Sequence, residues 1–421
     1  FSTRVDYGVG LSMGKRSDRS ERKRLLWISL VANLGLLGFF KYYNFFVDNF
    51  VEAFSFFGQE ISTNTLNIIL PVGISFYTFQ TLSYTIDVYR KKIEPTKDLV
   101  QFAAYVAFFP QLVAGPIERA TNLLPQFMRS RIFDQHYART GFNLIIWGLF
   151  KKVVVADNCA FFVNTIFESP GSYSAPELFL GAVLFGLQIY GDFSGYSDIA
   201  IGTARLFGFD LMTNFSFPYF SRDIAEFWRR WHISLSTWFR DYLYIPMGGS
   251  RGPLNQKLRN VLVVFLVSGF WHGANWTFII WGAIHALMFV PLLMFKVHRT
   301  HISSTRLNLW QLPQVMITFA LVTLAWVFFR ADTVTLAFDY LKHAFDFSDL
   351  SINAFTVNSK SMLFALIIML SSAIMLLMEF NCVQSEKKEV QFKGILAVGI
   401  MLLIVFMGVF KNPSDFIYFQ F

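Results

Sequence analysis

Long apolar runs broken by short clusters of charge dominate this chain. Leu25 to Val47, Leu178 to Phe207, Ala274 to Phe295, Leu312 to Phe329, Met362 to Met378 and Gly394 to Phe410 are the clearest. A helix needs about 20 mainly apolar residues to cross a bilayer. Of the 421 residues, 54% are hydrophobic and 15% are charged, whereas a soluble domain carries roughly 25% charged residues. There is too little polar surface to cover a water-soluble enzyme, so the chain reads as an all-α polytopic membrane protein.

The net charge of +8 is distributed as topology, not as a nucleic-acid footprint. Lys15 to Arg24 is a basic, cytoplasmic loop. Leu25 to Val47 leads outward to a loop with Asp48, Glu52 and Glu60, and Leu66 to Tyr89 returns to Arg90-Lys91-Lys92. Leu99 to Val113 is short and is followed by Gly115 and Pro116, which suits a re-entrant or interfacial element. Thr140 to Phe167 spans outward although Lys151, Lys152 and Asp157 interrupt it, and Leu178 to Phe207 spans back. Asp210 to Arg259 holds seven Arg/Lys against four Asp/Glu and has no continuous span. Its Trp228, Trp231, Trp238, Tyr242 and Tyr244 suit helices lying in the headgroup zone. Asn260 to Phe270 and Ala274 to Phe295 make a descent and return, broken at Trp271-His272-Gly273. Three further runs alternate outward, back and outward, and the aromatic tail Asn412 to Phe421 is expected at the outer interface. Roughly nine spans and two or three partial ones result, in one integral domain over residues 1–421.

A charged or ionisable group at bilayer depth is expensive, so it marks either a partner or a function. Three places stand out. Asp192 and Asp198 interrupt an apolar span; Asp192 either pairs with an arginine of the Arg222 to Arg240 cluster or lines a substrate path. His272 sits where an apolar helix breaks, before Asn275, as a satisfied structural group or as a catalytic one. His232 follows Arg229 and Arg230, whose charge favours a neutral imidazole; it is an interfacial ring among aromatics or part of a site. His285 reads as a packing residue. Cys159 and Cys382 form no metal signature, and no His/carboxylate cluster has ligand spacing, so no catalytic metal is expected.

Five motifs in order resemble one family. They are Pro71-Val72-Gly73-Ile74-Ser75-Phe76-Tyr77, Phe108-Phe109-Pro110-Gln111-Leu112-Val113-Ala114-Gly115-Pro116, Asp192-Phe193-Ser194-Gly195-Tyr196-Ser197-Asp198, Phe227-Trp228-Arg229-Arg230-Trp231-His232-Ile233-Ser234-Leu235-Ser236 and Ser268-Gly269-Phe270-Trp271-His272-Gly273-Ala274-Asn275-Trp276. Together they resemble the membrane-bound O-acyltransferase (MBOAT) superfamily, in its alginate O-acetyltransferase-like branch. The resemblance implies a ring or horseshoe of tilted transmembrane helices, with re-entrant and interfacial helices, around a central tunnel. It implies a multi-pass protein of the bacterial inner membrane. Family members carry hydrophobic helices ahead of the element that stands here at Ser2-Thr3-Arg4-Val5-Asp6-Tyr7, and these are absent from the chain as given.

The family's essential histidine maps to His272 and a second one to His232. The implied activity moves an acetyl group from a cytoplasmic thioester, acetyl-CoA or another acyl thioester, toward hydroxyls of an outer polysaccharide such as alginate. Transfer is direct or through a periplasmic relay protein of the serine-hydrolase (SGNH) type, and no cofactor is bound. Acyl transfer to a hydroxyl needs a base and an oxyanion donor. His272 is the expected base or acyl-accepting nucleophile, with Asn275 or the backbone near Gly273 on the oxyanion. His232 and Arg229 are expected at the donor. Asp192, Ser194, Trp231 and Trp271 complete the expected substrate contacts. D-alanyl or other acyl transfer to an envelope polymer, and a non-catalytic transporter or scaffold subunit, are the alternatives. A transporter would show paired inverted repeats, and the chain has no internal repeat.

Overall fold

A computed structural model describes residues 1–56, 66, 68–112, 115–302, 306–411, 413 and 415–417. Glu60 of the expected first outer loop, Val113 and Ala114, and the last four residues of the tail lie outside the described residues. Every long regular element among the described residues is a helix. Five helices are long and apolar enough to cross a membrane: Arg19–Ser55, Ala175–Leu206, Trp276–Met294, Leu309–Arg330 and Ser359–Gln384.

The expected count of spans was higher, and the differences have local causes. The run expected from Leu66 becomes helical only at Ile74, because Pro71 and a left-handed Gly73 (φ 75°) precede it. That leaves Ile74–Tyr89 with 16 residues, about 24 Å long. Ile395–Met407 is likewise short, with 13 residues. The run from Gln135 to Glu168 is helical throughout, but Lys151, Lys152 and Asp157 keep it off an apolar count.

The chain groups into two compact units: residues 1–133 with 208–211, and residues 134–207 with 212–421. In the first, Ser2–Gly14, Arg19–Leu37 and Ile74–Tyr89 pack around buried polar groups. The Asp6 carboxylate accepts from Ser29 Oγ at 2.6 Å and Asn33 Nδ2 at 2.9 Å. The Arg22 guanidinium donates to the carbonyls of Met13 and Val88 at 2.6 and 2.7 Å. Asp6 and Arg22 thereby find the partners their desolvation demands.

In the second unit, the 32-residue helix Ala175–Leu206 is the central post. It starts at a capping box of Ser174 and Glu177. Gln135–Leu149 lies against it closely enough that backbones touch. A Cβ on Gly148 would stand 2.4 Å from the Gly195 carbonyl oxygen, and one on Gly202 would stand 2.4 Å from that of Gly141. Small residues allow such contacts between membrane helices, where no hydrophobic force drives association. A π-helical segment, Phe150–Ala156, follows and brings consecutive lysines to the post. Lys151 meets Asp198 at 2.7 Å, and Lys152 meets Asp192 at 2.8 Å and Asp157 at 2.9 Å. Asp192 therefore pairs with a lysine, not with an arginine of the Arg222 to Arg240 cluster.

The tail also departs from expectation. Phe416 and Ile417 are buried, and the Ile417 amide donates to Asp192 Oδ2 at 2.6 Å. The segment is recruited inward because Asp192 has a second oxygen to satisfy. The glycine contacts yield a prediction: Gly148→Ala or Gly195→Ala forces the helices apart and costs about 1–3 kcal/mol. A thermal melt in detergent that shows neither variant losing stability would refute the close-packing account.

Candidate active site

His232 stands between two seven-residue helices, Ile224–Arg230 and Ile233–Phe239. Its backbone is left-handed, at φ 43° and ψ 54°, a conformation costing a non-glycine residue about 1–3 kcal/mol. The neighbouring segment holds it there: the Ile233 amide donates to the Asn214 carbonyl at 2.8 Å and the Ser216 amide to the Arg230 carbonyl at 2.9 Å. The ring is buried, 4.7 Å from Phe193 between centroids.

Asn214 fixes the protonation of this ring. Its side-chain oxygen accepts from the Ser234 amide at 3.3 Å and from Ser234 Oγ at 2.9 Å, and its Nδ2 donates to Ser197 Oγ at 3.0 Å. The backbone amide identifies the oxygen end, since two donors cannot face each other. His232 Nδ1 lies 3.0 Å from that same oxygen and must carry the proton. Nε2 then bears the lone pair, and it is buried without a hydrogen-bond partner. Burial pushes the His232 pKa from 6.5 down to about 3. The neutral state expected from the adjacent arginines is present, but desolvation is its cause. The arginine charge is spent elsewhere: Arg222 and Arg230 clasp Glu226 at 2.7 and 2.5 Å. Burial alone would raise the Glu226 pKa, but Arg222 and Arg230 pull it below its ordinary value.

His272 ends the helix Leu254–His272, and Trp276–Met294 starts after a three-residue break capped by Asn275. The hairpin is tight because a Cβ on Gly269 would meet the Phe278 carbonyl oxygen at 2.3 Å, and one on Gly282 that of Phe265 at 2.4 Å. Gly273 leaves room for Phe278, whose ring a Cβ would meet at 2.1 Å. The imidazole is buried among Trp271, Trp281 and Phe329, with centroids at 5.0, 5.2 and 5.3 Å.

The two imidazoles converge, with centroids 6.5 Å apart and Trp271 6.2 Å from His232. Trp231 backs the cluster, stacked on Phe227 at 5.5 Å and tilted against Trp326 at 5.0 Å. The other expected contacts have different neighbours. Ser194 accepts from Lys151 Nζ at 2.8 Å, beside the Asp192–Lys152 pair. Arg229 donates to the carbonyls of His298 and His301 at 2.9 and 3.4 Å. Asn275 accepts from the Thr277 amide at 3.1 Å and donates to the Asp332 carbonyl at 2.8 Å.

Sequence reasoning missed Asn214 and Trp281, whereas His285 is the buried packing residue it was expected to be. Trp228 Nε1 donates to His285 Nδ1 at 3.3 Å, and Trp281 packs 4.9 Å from that ring. The spacing of Trp281 and His285 puts them on one helix face, a signal that was available. Nothing local links Asn214 to His232. Among the described residues, no group of three or more His, Cys, Asp or Glu side chains is placed to hold a metal ion.

Comparison with known proteins follows this geometry. The family described as membrane-bound O-acyltransferase matches residues 90–331, which include both histidines. The chain is 42% identical over 349 residues to the probable alginate O-acetylase AlgI of Azotobacter vinelandii, covering 82% of this chain and 68% of that protein. Against the protein so named in Pseudomonas aeruginosa it is 42% identical over 346 residues, covering 82% and 65%. Against the peptidoglycan O-acetyltransferase of Helicobacter pylori it is 38% identical over 366 residues, covering 80% and 67%. The chain thus spans about two thirds of the length of these relatives. With membrane-length helices and a family match over more than half of its residues, the chain belongs to the membrane-bound O-acyltransferase family.

Proposed function

We propose that this multi-pass membrane protein is an O-acetyltransferase. It takes acetyl from a cytoplasmic thioester such as acetyl-CoA and passes it toward hydroxyls of a cell-envelope polysaccharide such as alginate, in the bacterial inner membrane. The names of its relatives support this reading, and the observation that carries it is the pair of buried imidazoles 6.5 Å apart. Their nearest ring nitrogens are roughly 4 Å apart or more, too far for a direct hydrogen bond of about 3 Å. A hydroxyl oxygen hydrogen-bonded to both rings would bridge a separation of this size.

The tautomer of His232 supports one division of roles. Its Nε2 can only accept, so the acceptor hydroxyl gives its proton there, and His272 holds the oxygen from the other side. The oxygen attacks the thioester carbonyl, the C–S bond breaks, and the departing thiolate recovers the proton from His232. His272 as the base or as an acyl-carrying nucleophile is the other division of labour, and both need the same two rings. The developing oxyanion needs a donor. Asn275 is spent on its helix cap and on Asp332, whereas the buried Trp281 Nε1–H has no hydrogen-bond partner and its ring flanks His272. Trp281 is the better candidate. Arg229 reaches donor phosphates only by leaving the carbonyls of the 298–301 loop. A relay protein of the serine-hydrolase type would receive the acetyl group where the polymer itself cannot reach.

Three outcomes are expected. Purified protein with radiolabelled acetyl-CoA and a hydroxyl acceptor releases CoA, and His232→Ala and His272→Ala each lose about 10²–10⁴-fold in kcat. Full activity in either variant removes that ring from the reaction. Trp281→Phe keeps the packing but lowers kcat by about 10²–10³-fold; a change confined to KM would end its oxyanion role. The third outcome concerns acid. A histidine whose folded pKa lies near 3, below its unfolded 6.5, takes up more protons unfolded. Its stabilising effect is complete above pH 6.5 and falls as pH drops toward 3. His232→Gln should flatten this acid limb in pH-dependent melts, and an unchanged limb would contradict burial as the cause.

A further inference from the structure

On the face that the positive-inside bias assigns to the cytoplasm, a cleft of about 430 Å³ opens beside the end of the Trp276–Met294 helix. A second cleft of about 220 Å³ adjoins it, and Ser250, Leu293, His298 and Arg299 line both. The smaller cleft has Val261, Val264, Phe265, Phe289 and Leu293 in its lining. The larger one carries three cations: Lys257, Lys296 and Arg299. Among the described residues none of the three has a carboxylate within ion-pair reach. The sequence explains why, for no Asp or Glu occurs between Asp241 and Asp332, and Asp241 is paired with Arg240 at 2.8 Å. Burial first, and then the charges of Arg299, Arg229 and Lys257, lower the pKa of His298 at the shared wall. Met294 in the cleft lining, and Ile245 and Phe295 next in sequence to lining residues, are 54%, 56% and 75% exposed, as suits a surface at the edge of the hydrocarbon.

We propose that this cleft binds an anionic phospholipid, with one acyl chain among Val261, Phe265, Phe289 and Leu293 and the phosphate on Lys257, Lys296 and Arg299. An unpaired cation triad over an apolar slot matches a phosphate on a hydrocarbon tail. The phosphates of the thioester donor share the headgroup chemistry, but a pantetheine arm carries amides that need hydrogen-bond partners. Of the polar side chains in the smaller cleft, the Tyr244 and Ser250 hydroxyls bond each other at 3.0 Å and Arg240 is paired with Asp241 at 2.8 Å, which leaves few groups free for such amides. The slot also adjoins the candidate active site. Phe265 packs on Trp228 and stacks on His285, at 5.3 and 6.2 Å. Arg229 grips the carbonyl of His298 on the same wall. The proposal concerns binding alone and stands whether or not acetyl transfer is the reaction.

Native mass spectrometry of the delipidated full chain tests it, using phosphatidylglycerol and phosphatidylcholine of matched acyl chains. Each cation near an anionic headgroup is worth roughly fivefold, so the triad gives about a 100-fold preference for phosphatidylglycerol. Lys257→Gln, Lys296→Gln and Arg299→Gln together should erase that preference, and Arg299→Gln alone should cut it about fivefold should the triple variant not fold. Val264→Trp, which fills the chain slot, should weaken both lipids. Excess acetyl-CoA should leave bound phosphatidylglycerol in place. Equal retention of the two lipids, an unchanged preference in the charge variants, or displacement by acetyl-CoA would overturn the proposal; the last would give the phosphate site to the donor.

Discussion

A charge taken out of water must find its opposite, and the second unit is arranged around that demand. Two adjacent lysines in a π-helical segment meet three carboxylates, two of them on the central helix. Breaking such a buried pair leaves an uncompensated charge and is far more damaging than the pair's net stabilisation suggests. The pairs form only because glycines let the helices touch backbone to backbone. Close approach and charge pairing therefore depend on each other. The tail joins the same arrangement through the Ile417 amide, so one aspartate organises three parts of the chain.

From that frame the histidine site follows with little freedom. Phe193, one residue after Asp192 on the post, supports the His232 ring. Asn214 then sets its tautomer, and the glycine hairpin of Gly269 and Gly282 delivers His272 to the same place. The rings meet in a shell of Trp, Phe and His side chains, a water-poor setting in which electrostatic interactions are strengthened. The strain at His232 fits this pattern. A left-handed backbone at a non-glycine residue persists only where its surroundings over-determine it, and here two flanking helices and a backbone-bonded neighbour segment do so.

The expectations that missed share a cause. Asp192 was expected beside arginines because they are the nearest cluster of cations in the motif-rich stretch. The arginines were already engaged, with Glu226 and with loop carbonyls, and a helix distant in sequence supplied the lysines. Asn275, expected with the backbone near Gly273 at the oxyanion, caps the helix that begins at Trp276. Trp281 was passed over because an aromatic in an apolar helix reads first as packing, even where its spacing from His285 puts both on one helix face.

The sequence by itself determined the solvent, the class of fold and the two histidines. A chain so poor in charge has no aqueous fold, long apolar runs can only be helices in a bilayer, and an imidazole at a helix break stands out against them. Its motif order was enough to point to the family. Tertiary structure alone decided which lysine meets which aspartate, which nitrogen of His232 holds the proton, and where the tail ends up. These are properties of pairs far apart in the chain, such as Asn214 with His232 or Asp192 with Ile417. They depend on how closely helices approach, a distance that no local pattern of residues encodes.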